Sequence, residues 1–248
     1  DCHIVVDPRL TNLGKESDIH LPLRPGTDGA MALAWSNVVV DENLIDELFL
    51  KKWTDAPFLV CEEMEASGWT EPTPVMGMPF ELKTRLVKES DLVEGGSPTR
   101  FMVIDANLVA EGKTGNDCLT YFDAETGMWE GQTWVAPTKG KEAQQENLVP
   151  GQSQGWVPDP TGFTAEDGFD RELDPELNGE VKITLKDGSA YTVRTVWEHY
   201  QERVAEFTPE AVSEICGVPA EQIREAARTW ATPIDPSTGY PNGGIQYM

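Results

Sequence analysis

The chain has 248 residues, and its 43 Asp and Glu against 19 Lys and Arg give a formal net charge of −24. This balance excludes nucleic acid as a default partner, because a phosphate backbone is bound by clustered cationic side chains. No stretch approaches the ~18 consecutive apolar residues of a membrane-spanning helix, which excludes direct membrane insertion.

The first sixty residues have the pattern of an α/β domain. Residues 3–6 and 18–23 are short apolar runs that predict strands, and Pro8 ends the first run because proline cannot donate to a strand ladder. Apolar residues at helical spacing between 31 and 39 predict a helix. A second helix with the same kind of stripe is predicted to begin at Asp41.

The middle of the chain, residues 60–193, is rich in Gly, Pro, Trp and acidic residues and shows few helical stripes. Residues 101–105 predict a strand, and residues 120–130 predict a hairpin. A second hairpin is predicted over 181–193, where Asp187-Gly188 is a strong turn signal. This segment therefore reads as a β-rich, loop-rich insertion.

Helical patterns return after the insertion. An apolar stripe over 196–207 predicts one helix. Thr208-Pro209 predicts the cap and first turn of another helix, which Gly217 ends, and Pro219 opens a last one.

We therefore predict two domains of an α/β protein. An incomplete α/β domain is built from residues 1–59 and 194–248, and the insertion of residues 60–193 interrupts it.

Two turns of the α/β part carry the main functional signal. Asp7-Pro8-Arg9 follows the first strand, and Gly26-Thr27-Asp28 opens the first long helix. Ligands of open α/β sheets bind beyond the carboxyl ends of strands, where a carboxylate can accept hydrogen bonds from guanine or ribose. Free amides at a helix start suit a pyrophosphate. The same residues are also typical of an ordinary strand-ending turn and a helix cap. Judged by residue types alone, this structural interpretation is favoured over a ligand site.

Other motifs with known chemistry do not occur. No G-x-G-x-x-G follows a strand, and Gly112-Lys113-Thr114 lacks the glycine that a phosphate-binding loop needs at position 107. The cysteines form no C-x-x-C pair and the histidines no H-x-x-x-H pair, so we predict no metal ligand and no catalytic side chain here. Those residues are Cys2, Cys61, Cys118, Cys216, His3, His20 and His199.

Longer motifs around the two turns resemble the dimethyl sulfoxide reductase family of molybdenum enzymes. The resemblance covers about residues 3–58 and 196–248, in the order that the family has. The matching segments are residues 5–11, 18–30, 39–46, 208–212, 215–223, 226–228 and 242–246.

This resemblance implies a dinucleotide-binding-like (Rossmann-like) open sheet with flanking helices. It would hold the guanosine end of one of the two molybdopterin guanine dinucleotides that bind Mo or W, and Asp28 is the best candidate to contact guanine or ribose. The cofactor-binding residues that it implies are Asp7, Pro8, Arg9, Thr11, Gly26, Thr27, Asp28, Asn242 and Gln246.

Some parts of the family pattern are missing from this sequence, namely the cysteine motif for a [4Fe–4S] cluster, the segment that ligates molybdenum, and the carboxy-terminal domain. We therefore expect an internal fragment of a bacterial catalytic subunit, inactive alone. Its expected partners are the other domains of that subunit, with an iron–sulfur electron-transfer subunit as a further candidate. The parent would perform oxygen-atom transfer or reductive dehydroxylation, either in the cytoplasm or after twin-arginine export.

A non-catalytic interaction module is the alternative interpretation. In that case the acidic insertion would present Trp129, Trp134 and Trp156 to a ligand or a partner. Tryptophans are more often anchors in cores and loops, which favours the enzyme interpretation.

Overall fold

The computed structural model of the protein describes residues 2–70, 81–133, 163 and 168–232. Four residues singled out from the sequence lie outside them: Asn242, Gln246, Trp134 and Trp156. The chain divides into two compact units, of which one ends at Glu47 and resumes at His199, and the other spans Leu48–Glu198. The Rossmann-like fold and the two-domain assignment stay predictions.

The described elements include both helices and strands in each half of the chain. The first half contains β1 (Ile4–Val6), α1 (Asn12–Glu16), β2 (Ile19–Leu21), α2 (Asp28–Asp41), α3 (Glu47–Trp53), β3 (Leu59–Val60), β4 (Ser67–Thr70), β5 (Glu81–Thr84), α4 (Glu89–Leu92), β6 (Arg100–Ile104) and α5 (Ala106–Ala110). The second half contains a 3-10 turn (Gly115–Cys118), β7 (Leu119–Asp123), β8 (Met128–Trp129), β9 (Glu180–Thr184), β10 (Ala190–Thr195), α6 (Val196–Ala205), α7 (Pro209–Cys216) and α8 (Ala220–Ala231).

The first unit is a parallel strand pair covered by helices. β1 and β2 pair in parallel through the α1 connection, and α2 packs against both α7 and α8. Its core consists of Leu21, Leu23, Met31, Ala34, Val212, Cys216, Val218, Ile223 and Ala226. Because burial of one Leu or Ile side chain contributes about 1.5–3 kcal/mol, this core is enough to hold the three helices on the strands.

Local capping signals fix α7 as the sequence predicts. The hydroxyl of Thr208 accepts a hydrogen bond from the N–H of Ala211 at 3.3 Å, and Pro209 occupies the first turn. Gly217 ends the helix with φ +81°, a left-handed conformation that glycine adopts without steric cost. The predicted helix boundaries are confirmed here.

The helix predicted to begin at Asp41 is wrong. Asp41 is the last residue of α2, and Asn43 takes the left-handed conformation with φ 53°. The N–H of Leu44 then bonds to the carbonyl of Val39 at 2.8 Å, as in a helix-ending Schellman motif. Asn tolerates this conformation, so the chain turns and α3 begins only at Glu47.

The second unit consists of small antiparallel sheets. Their strand orders are β3-β10-β9, β4-β5 and β6-β7-β8. Both predicted hairpins are confirmed, since β7 pairs with β8, and β9 pairs with β10 across a turn in which Gly188 has φ +88°. No helix within the described residues is both long and apolar enough to cross a membrane.

Candidate functional site

Both predicted turns follow the carboxyl ends of the parallel strands. Val6 and Leu21 are opposite each other at the ends of β1 and β2. Beyond them the N–H of Asp7 donates to the carbonyl of Leu21 at 3.3 Å, so the first turn starts beside the end of β2. This is the edge of a parallel sheet at which α/β proteins bind ligands.

The first turn combines internal hydrogen bonds with one exposed cation. The carboxylate of Asp7 accepts the N–H of Arg9 at 2.7 Å, and the ring of His20 donates from Nε2 to the carbonyl of Asp7 at 3.0 Å. The hydroxyl of Thr11 caps α1 by accepting the N–H of Gly14 at 3.3 Å. Asp7 and Thr11 therefore shape the turn, and His20 has the structural role expected of it.

The guanidinium of Arg9 stays available in this turn. Arg9 is exposed, and its side chain has no hydrogen-bond or ion-pair partner among the residues that the structure describes. A planar guanidinium without a protein partner can bind a phosphate through two parallel hydrogen bonds.

The second turn leaves the start of α2 uncapped. Thr27 occupies the capping position, but its hydroxyl donates to the carbonyl of Arg24 at 2.6 Å and makes no cap hydrogen bond. The first helical hydrogen bond joins the N–H of Met31 to the carbonyl of Thr27 at 3.1 Å. Within the described part of the chain, three backbone amides of the first turn have no acceptor, those of Asp28, Gly29 and Ala30.

In the part of the chain that the structure describes, a ligand would find free space beside Gly26 and an unpaired carboxylate on Asp28 next to these amides. Gly26 has φ +83°, and apart from its chain neighbours no atom of the described residues lies within 4 Å of where its Cβ would be. Asp28 is exposed, and its carboxylate has no hydrogen-bond partner among the described residues. A carboxylate in the first turn of a helix interacts favourably with the helix dipole, so Asp28 stabilises α2 even without a ligand.

Arg24 is the residue at this site that the sequence did not single out. Its N–H donates to the carbonyl of Cys216 at 2.8 Å, and its Nη1 donates to the carbonyl of Ile215 at 2.7 Å. The second turn is thereby tied to the carboxyl end of α7. Because the two segments are 191 residues apart in sequence, no local pattern predicts this contact.

No group of three or more His, Cys, Asp or Glu among the described residues is placed to hold a metal ion. In the second unit Trp129 is only 5% exposed and lies edge-on to Phe122 and Phe163 at 5.5 Å and 5.1 Å. Trp129 is therefore a core residue, which contradicts its place on an exposed partner surface.

Curated relatives match the chain over much or all of its length. No protein-family model matches it. It is 52% identical over 263 aligned positions to a dopamine dehydroxylase of Eggerthella lenta, an alignment that covers 100% of this chain and 25% of that protein. It is 32% identical over 246 positions to the perchlorate reductase subunit alpha of Dechloromonas aromatica, covering 98% and 22%.

A more distant relative agrees with these two. The dimethylsulfide dehydrogenase subunit alpha of Rhodovulum sulfidophilum is 25% identical over 229 positions, covering 92% of this chain and 18% of that subunit. The chain thus spans about a quarter of the length of the first relatives that it matches. With these similarities and with its motifs on the two turns described above, the chain belongs to the dimethyl sulfoxide reductase family of molybdopterin oxidoreductases.

Proposed function

We propose that this chain is the part of a catalytic subunit that anchors the guanosine and pyrophosphate of a molybdopterin guanine dinucleotide. The observation that carries the proposal is the uncapped start of α2, where the amides of Asp28, Gly29 and Ala30 have no acceptor among the described residues. Helix starts of this kind bind phosphate groups through their free N–H groups and the helix dipole.

The residues present fit such a nucleotide. The three amides would receive pyrophosphate oxygens, and the open side of Gly26 would let a phosphate approach the backbone. The free carboxylate of Asp28 would accept hydrogen bonds from guanine N–H groups or ribose hydroxyls. Arg9 would add a cationic contact from the first turn.

The cofactor itself would supply redox chemistry at Mo or W, and this chain would supply position and electrostatics. A Rossmann-like sheet, with β1 and β2 as two of its strands, is part of the proposal. Asn242 and Gln246 are further proposed contacts, which rest on the family resemblance alone because both lie outside the described residues. Iron–sulfur clusters and an electron-transfer subunit would belong to other parts of the enzyme.

Substitution of Asp28 tests the anchoring proposal. In the full-length catalytic subunit that contains this chain, Asp28→Asn should speed the loss of guanine nucleotide during dialysis by about ten-fold, because a hydrogen bond to a charged group contributes about 1.5–3 kcal/mol. The matched control is Glu221→Gln, since Glu221 also lies in the first turn of a helix and interacts favourably with its dipole. Equal retention by the two variants would contradict the anchoring proposal and leave Asp28 as a helix-stabilising residue.

For the parent enzyme we propose dehydroxylation as the class of reaction. The relative named a dopamine dehydroxylase is 52% identical along the whole chain, against 32% for the perchlorate reductase subunit. Anaerobic turnover of the purified enzyme with a reduced viologen dye should therefore consume dopamine faster than perchlorate. Faster consumption of perchlorate would contradict this assignment and leave the anchoring role untouched.

One residue of the interaction-module alternative is not available to a partner. Trp129, one of its three proposed contact residues, is buried in an aromatic cluster together with Phe122, Phe163 and Phe169. We therefore retain cofactor anchoring as the proposed function.

A further inference from the structure

Arg24 links two elements whose ends carry opposite partial charges. It lies between β2 and the second turn, and both its backbone and its side chain bind the last carbonyls of α7, those of Cys216 and Ile215. The last carbonyls of a helix have no partner inside the helix and carry partial negative charge. A guanidinium at this position therefore provides the α7 carboxyl end with a hydrogen-bond donor and with a compensating positive charge.

The other side of Arg24 holds the second turn. Its carbonyl accepts two hydrogen bonds from Thr27, one from the backbone N–H at 3.2 Å and one from the hydroxyl at 2.6 Å. The second of these bonds turns the Thr27 side chain towards Arg24, and in that orientation its oxygen accepts no N–H of the first turn of α2. Thus the same residue that closes α7 also leaves the α2 amides without an internal acceptor.

The end of α7 is itself tightly specified at this point. Gly217 has φ +81°, and the Nη2 of Arg24 lies 3.7 Å from where a Cβ on Gly217 would be. The N–H of Gly217 donates to the carbonyl of Ser213 at 2.9 Å, which closes the last turn of the helix. Movement of this turn would move the carbonyls that hold Arg24.

We infer that Arg24 is a positioning residue that couples the carboxyl end of α7 to the second turn and so fixes the direction of the amides of Asp28, Gly29 and Ala30. The role of these amides in binding rests on the proposed function. The coupling between the two segments does not, because it follows from hydrogen bonds within the chain.

Coupling of this kind is reciprocal. If an ordered α7 end favours the geometry that binds the nucleotide, then bound nucleotide must favour an ordered α7 end to the same degree. Cofactor binding should therefore slow hydrogen exchange at Gly217, which our proposal does not place in contact with the nucleotide. A residue that merely stabilised the fold would slow exchange equally with and without cofactor.

Hydrogen–deuterium exchange of the full-length catalytic subunit, with and without cofactor, tests the coupling. Peptides covering residues 24–31 report on the bonded amides of Arg24, Thr27 and Met31, and peptides covering 213–218 report on Gly217. In Arg24→Gln we expect about ten-fold faster exchange in both segments, since one charge-assisted hydrogen bond is lost. The protection that cofactor gives to 213–218 should shrink, because only the backbone bond from residue 24 to Cys216 remains, and Arg24→Lys, which keeps one cationic donor, should restore part of it.

Two further variants make the result decisive. Arg228→Gln breaks the bidentate pair with Glu42 in the same unit, and it should leave both segments unchanged. Gly217→Ala strains the α7 end directly, and it should speed exchange at 24–31 even if Arg24→Gln does not fold. Unchanged exchange at 24–31 in Gly217→Ala, or loss of cofactor-dependent protection in Arg228→Gln as well, would overturn the inference.

The outcome is distinguishable from failure of the anchoring proposal. If Asp28→Asn retains guanine nucleotide while Arg24→Gln loosens both segments, the proposed function is wrong and the coupling is correct. If Asp28→Asn loses nucleotide while Arg24→Gln leaves both segments protected, anchoring is correct and Arg24 does not position it.

Discussion

The second turn and the end of β6 both present an aspartate close to a helix start, and the two aspartates have opposite surroundings. Asp105 is fully buried, and its carboxylate accepts hydrogen bonds from Arg171 and from the N–H groups of Asn107 and Asp174, both at 3.1 Å. Asp28 is exposed and has no hydrogen-bond partner among the described residues. Buried polar groups must be paired for the fold to be stable, whereas an exposed unpaired group can bind a ligand.

The cations of the two units show the same contrast. Lys88 is 1% exposed and donates to the hydroxyl of Ser67 at 2.5 Å and to the carbonyl of Leu86 at 3.3 Å. Burial lowers the pKa of Lys88, and nearby Asp91 opposes that shift. Arg9 of the first turn is exposed instead, with no partner for its guanidinium in the described part of the chain. The Lys88 ammonium is thus bonded inside the second unit, whereas the Arg9 guanidinium of the first turn can still bind a ligand.

The largest expected effect on stability therefore comes from Asp105. Asp105→Ala should lower the free energy of unfolding by about 2–4 kcal/mol, because two backbone amides lose their acceptor and Arg171 keeps only its longer contact to Glu130. Asp28→Ala should change it by less than about 1 kcal/mol, because only a helix-dipole contact is lost. Urea denaturation of both variants measures the difference, and equal losses would contradict the contrast between the two aspartates.

Two glycines at the start of α2 sharpen the comparison on a smaller scale. Apart from chain neighbours, no atom in the described part of the chain lies within 4 Å of the Cβ position of Gly26 or Gly29, but of these two only Gly26 has a positive φ, +83°. Gly26→Ala should therefore destabilise the chain by roughly 1–2 kcal/mol through backbone strain alone.

Gly29→Ala should instead stabilise the chain by about 0.5–1 kcal/mol, because alanine restricts the unfolded chain and favours helix. Thermal unfolding of both variants measures this difference in sign. Destabilisation by Gly29→Ala to the same extent would show that space, and not backbone conformation, governs the turn.

The smallest expected effect concerns the exposed pair of Glu42 and Arg228. The hydrogen bonds from Arg228 lower the pKa of Glu42 below its ordinary value of 4.5. The pair therefore stabilises the fold above pH 4.5, and this contribution disappears as the pH falls through the lowered pKa of Glu42. Arg228→Gln should cost about 0.2–1 kcal/mol at neutral pH and nothing in strong acid. A loss that persists at low pH would mean that Arg228 acts through packing.

Several elements could be predicted from the sequence because their signals are local. The turn at Asp187-Gly188 and the cap at Thr208-Pro209 each act within a few residues, so their elements form as expected. The end of α2 could not be predicted in the same way. The apolar stripe continues past Asp41, and only the conformation of Asn43 shows that the helix has stopped.

The candidate site was predictable only in its parts. The motifs at Asp7 and Gly26 indicate turns after strands, and the structure shows both turns at the carboxyl ends of β1 and β2. The missing cap on α2 could not be foreseen, since Thr27 is a good capping residue by type. Its hydroxyl bonds to Arg24 instead, and Arg24 is held by a helix end far away in sequence.

A structure of the full-length, cofactor-loaded catalytic subunit, determined by crystallography or cryo-electron microscopy, tests the central claim most directly. We predict a guanine or ribose donor within hydrogen-bonding distance of the Asp28 carboxylate, and pyrophosphate oxygens at the amides of Gly29 and Ala30. A dinucleotide bound elsewhere, with these amides facing solvent or another protein segment, would contradict the account.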